Sequence, residues 1–359
     1  MKQWNVGILG ATGMVGQRFA LLLADHPWFR VTALAASPRS AGKPYADAVT
    51  GRWFMSSPLP PSLADMLVQD VTSDMDDIVG KVDFVFCAAD MPKAEIRAVE
   101  EAYAKKECPV VSTNSAHRGT PDVPMLIPEL NPEHTEIIPF QRARLGTKRG
   151  FITAKSNCSI QSYVPALHPL RGFGLKRVLA CTYQAISGAG KIFATWPEIV
   201  DNVIPFIGGE EEKSEQEPLK IWGSIRGGRI VPTDSVDITT QCLRVPVTDG
   251  HMAAVFADFD KKPDLSEVKQ IWRNFTARPQ ELCLPSAPKQ FLRYFDEDNM
   301  PQTALHRELE GGMAIPIGRL RGDSQYQLKF VCLSHNTLRG AAGGAVLTAE
   351  LLCAEGYMG

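Results

Sequence analysis

The chain has 359 residues and a mass of 39.4 kDa, enough for two domains at the usual size of about 100–200 residues each. Hydrophobic residues make up 44% and charged residues 22%, which excludes a disordered, collagenous or coiled-coil chain. Lys and Arg number 38 and Asp and Glu 40, for a formal net charge of −2. A charge so close to zero gives no general attraction to nucleic acid or to an anionic membrane, and we expect neither as a partner.

The sequence contains no apolar run near the roughly 20 residues that span a bilayer, and no apolar signal sequence precedes its first glycine-rich turn. The eight cysteines include no CxxC pair, and the seven histidines show no HExxH or HxxxH spacing. We therefore expect a cytoplasmic protein with reduced thiols and no metal site.

The first third of the chain alternates apolar runs with helical patterns, which is typical of βαβ units around a parallel sheet. Strands are predicted at 5–9, 30–36, 82–87 and 109–112, and helices at 14–24 and 93–105.

After about residue 155 the predicted strands are longer and their connections more polar, which favours a mixed or antiparallel sheet in an α+β domain. These strands are predicted at 175–186, 241–247, 251–259 and 326–333. Residues 206–218 contain three consecutive glutamates and are predicted to be a solvated excursion. A helix at 338–352 is predicted to pack back onto the first domain.

Between the first strand and the first helix lies a glycine-rich turn, GILGATGMVG at residues 7–16. Gly10, Gly13 and Gly16 leave room for a pyrophosphate at the N-terminus of the following helix. A tight turn alone would also account for the glycines, but their place directly after a strand favours dinucleotide binding.

The segment after the second predicted strand bears on which dinucleotide is bound. NAD sites usually place a carboxylate about 20 residues beyond the glycines, where it binds the ribose hydroxyls. Here SPRSAGK, at residues 37–43, has no acid but two hydroxyls, a guanidinium and an ammonium. This set favours the 2′-phosphate of NADP; the alternative is a solvated basic loop.

Cys158 is the candidate nucleophile, in the motif SNCS at residues 156–159. Ser156 or Asn157 is a candidate helix N-cap, which would put Cys158 in the first turn. There the helix dipole and free N–H groups stabilise a thiolate and an oxyanion formed at an attacked carbonyl. A thiol beside NADP indicates hydride exchange with a cysteine-bound acyl group through a thioester.

His251 is the candidate acid or base, because histidine titrates near neutral pH. It follows a strong turn signal, Asp249-Gly250, in RVPVTDGH at residues 244–251. A two-residue hairpin would put Arg244 and His251 on one face of a sheet, whereas a strand running on through a bend would separate them. Both arrangements remain open at this point.

Other polar side chains are candidates for binding an anionic ligand. Arg118 follows a predicted strand, with a surface pair to Asp122 as the alternative. Glu210 and Lys213 lie in the acidic excursion. Gln184 precedes a Gly/Ser turn that can approach a ligand closely, and its amide can donate to a carboxylate or carbonyl.

Eight motifs, in the same order along the chain, resemble the aspartate-β-semialdehyde dehydrogenase family, and SNCS is the form of its archaeal and fungal branch. They are GATGMVG at 10–16, SPRSAGK at 37–43, STNSAHR at 112–118, SNCS at 156–159, YQAISGAG at 183–190, GEEEK at 209–213, RVPVTDGH at 244–251 and HNTLRGAAGG at 335–344. The resemblance covers essentially the whole chain. It implies an α/β protein with a Rossmann-type NADP-binding domain at 1–155, completed by a C-terminal helix at about 336–359. An α+β catalytic and dimerisation domain with a mixed antiparallel sheet would occupy 156–335.

The resemblance also implies a role for each matching residue. Cys158 would carry the acyl thioester, His251 would act as acid and base, and Gln184 would orient the substrate. Arg244 would bind the substrate carboxylate, Glu210 its ammonium, and Arg118, Asn157 and Lys213 its phosphate. Glu210 is chosen among the acids at 210–212 by its distance from Lys213. The implied NADP contacts are Gly10, Thr12, Gly13, Met14, Val15, Ser37, Arg39, Ser40, Ser187, Gly188 and Asn336.

The implied reaction is NADPH-dependent reductive dephosphorylation of L-aspartyl-4-phosphate to L-aspartate 4-semialdehyde by a homodimer or homotetramer. It belongs to the pathway to lysine, diaminopimelate, methionine, threonine and isoleucine. The alternative is malonyl-CoA reductase, against which Glu210 argues because malonate has no ammonium. A regulatory NADP sensor would bind the cofactor but have no use for the capped cysteine.

Overall fold

The computed structural model describes residues 3–359. Its strands are β1 (Trp4–Leu9), β2 (Phe29–Ala36), β3 (Val68–Asp70), β4 (Phe84–Cys87), β5 (Val110–Ser112), β6 (Met125–Leu126), β7 (Ile152–Lys155), β8 (Leu175–Gln184), β9 (Ser224–Arg226), β10 (Arg229–Val231), β11 (Asp237–Arg244), β12 (His251–Phe259), β13 (Leu292–Tyr294), β14 (Ile315–Gly322) and β15 (Leu328–Ser334). Its α-helices are α1 (Met14–Leu23), α2 (Tyr45–Val49), α3 (Pro61–Ala64), α4 (Met75–Val79), α5 (Lys93–Lys105), α6 (Ile138–Leu145), α7 (Ile160–Leu167), α8 (Glu210–Ile221), α9 (Leu265–Arg273), α10 (Arg278–Glu281), α11 (Thr303–His306), α12 (Leu309–Gly312) and α13 (Ala342–Ala354).

The first sheet is parallel and has seven strands in the order β3-β2-β1-β4-β5-β7-β6. The strand order reverses at β1, so a crevice opens at the carboxyl ends of β1 and β4, where ligands bind in sheets of this kind. Phe19 of α1 and Val346 of α13 share one core cluster with Ile8 of β1. The C-terminal helix therefore packs onto the first sheet, as the sequence predicted.

The second sheet is mixed, with six strands in the order β11-β8-β12-β15-β14-β13. β11 runs parallel to β8, and β13 runs parallel to β14, while the other neighbours are antiparallel. Tyr163 of α7 and Trp272 of α9 are buried with Val255 of β12 in the core cluster against this sheet. The predicted fold class, a parallel nucleotide-binding sheet followed by a mixed sheet, is thereby confirmed. The division at residues 155/156 stays a prediction.

The prediction of a solvated excursion at 206–218 is wrong, because most of this segment belongs to α8. Ser214, Glu217 and Lys220 are buried on one side of this helix together with Glu210. A helix that buries polar side chains against polar partners has no apolar stripe, so hydrophobic periodicity does not reveal it.

No helix within residues 3–359 has the length and apolar character needed to cross a membrane. Over the same residues, no group of three or more His, Cys, Asp and Glu side chains is arranged to hold a metal ion.

Candidate active site

The glycine-rich turn lies between β1 and α1, where two of its glycines are sterically required. Gly10 has a φ of +85°, and its N–H donates to the carbonyl of Ala35 at 2.8 Å. A Cβ added at Gly16 would lie 2.1 Å from the carbonyl oxygen of Gly10. α1 begins at Met14, and its N-cap residue, Gly13, has no side chain that could accept a hydrogen bond from the first N–H groups of the helix. Its first N–H groups are therefore available to an anion such as a pyrophosphate.

The turn after β2 carries the side chains predicted to meet a 2′-phosphate. Arg39 is exposed and Ser37 is half-buried. Ser40 is buried, and its Oγ accepts a hydrogen bond from Arg52 Nη2 at 2.8 Å. Arg52, which follows α2, thus brings a further cation to this loop that the motif did not indicate. Arg39 in this segment, Arg52 next to it and the absence of an acid in 37–43 fit a phosphorylated ribose.

A cavity of about 400 Å³ lies at the carboxyl ends of β4 and β5. Seven of the predicted site residues line it: Val15, Arg118, Asn157, Cys158, Ser187, Gly188 and Asn336. Its other walls come from Ala88, Ala89, Asp90, Thr113, Asn114, Thr337, Gly340 and Ala341. Ser37, Arg39 and Ser40 do not line this cavity, nor does Lys213.

Cys158 lies in the loop between β7 and α7, two residues before the helix begins at Ile160. The helix cap is Ser159, whose N–H donates to Asn157 Oδ1 at 2.6 Å. The expectation that Cys158 sits in the first helical turn is therefore wrong. The side chain of Asn157 turns the chain locally and so ends the strand before the helix can start.

His251, the first residue of β12, faces the cysteine, with its Nε2 3.5 Å from Cys158 Sγ. On the other side of the ring, Nδ1 accepts a hydrogen bond from the Ala185 N–H at 3.0 Å. A backbone N–H can only donate, so Nδ1 is unprotonated and the neutral ring carries its proton on Nε2. His251 thus presents a donor to the sulfur.

Burial sets the protonation of this pair. It raises the pKa of the Cys158 thiol to about 11, and the negative charge of Glu210 adds to the effect. Nearby cations oppose the rise, Lys155 most strongly. Burial lowers the pKa of His251 to about 3, helped by the charge of Arg244. Both shifts favour a thiol and a neutral imidazole in the protein without substrate, which is the opposite direction to the thiolate stabilisation expected from a helix N-terminus.

Arg244 and His251 meet on one side of the turn that follows β8. A Cβ added at Gly188 would lie 2.9 Å from Arg244 Nη1 and 3.0 Å from His251 Nε2. Arg244 is held by a hydrogen bond from its Nη1 to the Ala185 carbonyl at 2.7 Å. The arrangement is not a hairpin: β11 and β12 flank β8, and residues 245–250 cross over its end.

Glu210, at the start of α8, faces the nucleophile loop. Its Oε2 accepts from Asn157 Nδ2 at 3.1 Å and from Lys213 Nζ at 3.3 Å. Glu211 turns the other way and accepts from two groups of β11. Glu212 is exposed. Among the three consecutive acids, Glu210 is therefore the one whose carboxylate contacts the loop of Cys158.

Glu217, two turns further along α8, was not indicated by any motif. Its Oε2 accepts the backbone N–H of Asn157 at 2.5 Å, and its Oε1 accepts from Arg118 Nη1 at 3.0 Å. Arg118 also donates to the Thr113 carbonyl at 2.9 Å. The alternative pair with Asp122 is wrong, because that carboxylate binds another arginine. One buried carboxylate thus joins the nucleophile loop to Arg118.

Lys220 extends the same face of α8. Its Nζ donates to the carbonyls of Arg118, Thr120 and Val123 at 2.7, 2.7 and 2.8 Å. The polar residues of this face are spaced three or four apart from Glu210 onward, which is the period of a helix. That spacing was the signal by which the helix and its buried charges could have been found.

Gln184 and Asn336 are both buried but differ in their partners. Gln184 Nε2 donates to Thr182 Oγ1 at 3.2 Å, within β8. The structure does not bring it to the cavity wall. Asn336 accepts the Gly250 N–H at 2.7 Å and donates to Ser187 Oγ at 2.8 Å. It therefore ties the turn after β8 to the segment that leads into His251.

Comparison with known proteins identifies the family. Residues 5–138 match the family model of the semialdehyde dehydrogenase NAD binding domain, and residues 167–339 match that of the semialdehyde dehydrogenase dimerisation domain. The aspartate-semialdehyde dehydrogenase of Methanothermobacter thermautotrophicus is 44% identical over 97% of this chain and 98% of its own length. That of Aspergillus fumigatus is 41% identical over 98% of both chains.

A solved structure gives the same result. The chain is similar to the aspartate-semialdehyde dehydrogenase of Candida albicans crystallised with NADP, at 36% identity and a TM-score of 0.89. The match covers 99% of this chain and 100% of the other. The resemblance seen in the motifs is thereby confirmed, and the chain belongs to the aspartate-semialdehyde dehydrogenase family.

Proposed function

We propose that this protein catalyses the NADPH-dependent reductive dephosphorylation of L-aspartyl-4-phosphate to L-aspartate 4-semialdehyde through a thioester on Cys158. The observation that carries the proposal is the placement of Cys158. Its sulfur lies 3.5 Å from a histidine N–H, in the wall of a cavity shared with Val15 of the glycine-rich turn. Archaeal and fungal relatives of the same length carry the name of this activity.

The residues of the first sheet fit NADP. The close approach at Gly10 and Gly16, with uncapped N–H groups at the start of α1, suits a pyrophosphate. Arg39 of the turn after β2 and Arg52, which donates to Ser40 of that turn, suit the 2′-phosphate. When bound, the cofactor supplies the hydride. Ser187, Gly188 and Asn336 would hold it near Cys158 from the side of the second sheet.

The charged groups around Cys158 match a substrate with three charges. Arg244 would bind the carboxylate, and Glu210 would bind the ammonium. Arg118, Lys213 and Asn157 would bind the phosphate, with Glu217 holding the arginine in place. Gln184 would orient the substrate, although its amide donates a hydrogen bond to Thr182 within β8.

The chemistry of the chain's own groups runs in two stages. The Cys158 sulfur forms a bond to the acyl carbon while the bond to phosphate breaks, and the thiol proton leaves with the phosphate. After hydride has reached the thioester carbon, the C–S bond breaks and the semialdehyde is released. The Nε2–H of His251 donates a hydrogen bond to the departing thiolate and stabilises its charge, in agreement with the direction of its hydrogen bond, and the sulfur regains its proton from solvent.

Several broader predictions belong to the same proposal. The activity would serve the synthesis of lysine, diaminopimelate, methionine, threonine and isoleucine in the cytoplasm. The protein would act as a homodimer or homotetramer, in keeping with the dimerisation-domain model that matches residues 167–339. The first domain would span 1–155 with the C-terminal helix at about 336–359, and the catalytic domain 156–335.

The proposal is tested by NADP reduction with aspartate semialdehyde in the presence and absence of inorganic phosphate. We expect reduction that requires phosphate and is lost when Cys158 is alkylated beforehand. The same protein is then assayed with NADPH and either aspartyl phosphate or malonyl-CoA. NADPH consumption with malonyl-CoA alone would reject the proposal in favour of malonyl-CoA reductase.

A further inference from the structure

We propose that inorganic phosphate and other small anionic ligands reach Cys158 through a second opening, on the side of Arg118 that faces away from the cofactor cavity. The choice of phosphate as the ligand that enters by this route depends on the function proposed above. The cavity on that side of Arg118, and the wall that it shares with the cavity of Cys158, depend only on the geometry of the described residues.

The second opening is a cavity of about 430 Å³ between α8 and the loop that follows β5. Lys213 and Gln216 of α8 form one wall, and Gly119 and Pro121 of the loop form the other. Ile230 of β10 gives it an apolar part. It is therefore bounded by the two segments that carry the proposed phosphate-binding cations.

Its charged groups favour an anion. Lys93, Arg118 and Lys213 line it together with Glu212 and Glu217. Glu217 and Arg118 form an ion pair, and Lys220, which also lines the cavity, adds a further basic group. Glu212 is exposed to solvent. The inner part of the cavity is thus positive, and an anion that enters it moves toward a guanidinium.

Arg118 is the one residue, among those the structure describes, that lines both this cavity and the one containing Cys158. It is fixed from two sides, by Glu217 and by the Thr113 carbonyl, while its buried Nε has no hydrogen-bond partner. The guanidinium therefore separates the two cavities, and it keeps donor capacity for a ligand that arrives beside it.

The second opening becomes important for access to Cys158 when a dinucleotide occupies the first cavity. The first cavity is lined by Val15, Ser187, Gly188 and Asn336, which are the residues proposed to hold NADP. A dinucleotide held by these residues would cover Cys158 from that side. A phosphate that enters past Arg118 does not have to displace the cofactor, so the two can bind and leave in any order.

The test fills the second opening from each wall in turn. Gly119 is exposed, is not among the glycines with a positive φ and would place a Cβ in open space, so Gly119→Trp adds bulk at the cavity without strain at the Cβ. Gln216→Trp adds the same bulk from the exposed side of α8. Gly172→Trp is the matched control, because Gly172 also has nothing within 4 Å of an added Cβ but lies outside both cavities.

The primary readout is alkylation of Cys158 by iodoacetate, followed on its peptide by mass spectrometry with and without saturating NADP. We expect the native protein to react under both conditions. Gly119→Trp and Gln216→Trp should react about tenfold more slowly when NADP is bound, and almost normally without it. Gly172→Trp should behave as the native protein. Complete protection of the native protein by NADP, or unchanged rates in both cavity variants, would overturn the proposal.

Steady-state kinetics then show whether phosphate uses the opening. Both cavity variants should raise the KM for phosphate and leave the KM for NADP unchanged. If the native protein shows no phosphate-dependent turnover, the proposed function fails while the alkylation result still decides the opening. If alkylation slows but the KM for phosphate stays constant, phosphate does not pass there and the proposal is rejected.

Discussion

The glycine-rich turn and the nucleophile loop are built in opposite ways. The turn presents backbone groups: Gly10 and Gly16 allow the chain to close on itself, and the first N–H groups of α1 have no side-chain cap. The loop of Cys158 is positioned by side chains from distant segments, above all Glu210 and Glu217 of α8. A backbone site is contained in one contiguous motif, whereas a side-chain site exists only after the chain has folded.

The largest expected effect separates the two regions. Cys158→Ser should lower the phosphate-dependent activity on the order of 10⁴-fold or more, because the hydroxyl is a far weaker nucleophile than the thiol. NADP affinity should remain near normal, since the turn of the first sheet is untouched. Activity assays combined with a cofactor titration check both statements. Native-like activity in the variant would exclude a thioester.

Glu210→Gln should change the reactivity of the Cys158 thiol and the turnover of the enzyme in opposite directions. The amide keeps an acceptor for Asn157 but removes the negative charge that raises the pKa of Cys158. We therefore expect alkylation of the free protein at pH 8 to become a few times faster, while turnover falls about 10–100-fold through loss of the ammonium partner. Glu211→Gln is the matched control and should change neither quantity. Slower alkylation in Glu210→Gln would contradict the electrostatic account.

The backbone region is tested by a pair of glycines. Gly16→Ala forces a Cβ against the Gly10 carbonyl, whereas an added Cβ at Gly13 meets its nearest neighbour at 3.5 Å. We expect Gly16→Ala to lower the free energy of unfolding by about 1–3 kcal/mol and to weaken NADP binding. Gly13→Ala should leave the stability nearly unchanged. Thermal unfolding of the two variants makes the comparison, and equal stabilities would show that the turn is not closely packed.

The smallest effect concerns pH and stability. Because the pKa of His251 is lowered to about 3 in the folded protein, the unfolded chain binds more protons than the folded one between about pH 6.5 and 3. Stability should therefore fall as the pH drops below 6.5, and this residue alone contributes about 2 kcal/mol of the loss by pH 5. His251→Asn should show a shallower fall in denaturant titrations between pH 7 and 5. An identical slope would mean that His251 is not buried in its neutral form.

The limits of sequence prediction follow the same division. Helix α5 and strand β12 were predicted with the bounds that the structure has, since regular apolar periodicity marks each of them. The hairpin before His251 was one of two open alternatives, and neither anticipated that β8 would lie between β11 and β12. Strand order is set by packing over the whole sheet, and a turn signal such as Asp249-Gly250 cannot report it.

The local sequence around Cys158 also failed to predict the environment of its sulfur. Capping by Asn157 or Ser156 predicted an activated thiolate, but Cys158 lies half-buried near Glu210, and desolvation together with that negative charge raises its pKa instead. Lys155, a buried lysine that opposes this rise when charged and whose own pKa is lowered well below its usual value by burial, belongs to no recognised motif. The charge balance at the sulfur is the sum of groups from several elements, so it became visible only in three dimensions.

The most direct measurement is mass spectrometry of the protein mixed with aspartyl phosphate in the absence of NADPH. Without hydride the acyl group should accumulate, and the peptide containing Cys158 should carry an aspartyl adduct that hydroxylamine removes. An adduct on a different side chain, or rapid turnover on addition of NADPH with no adduct on any residue, would contradict the central role of this sulfur.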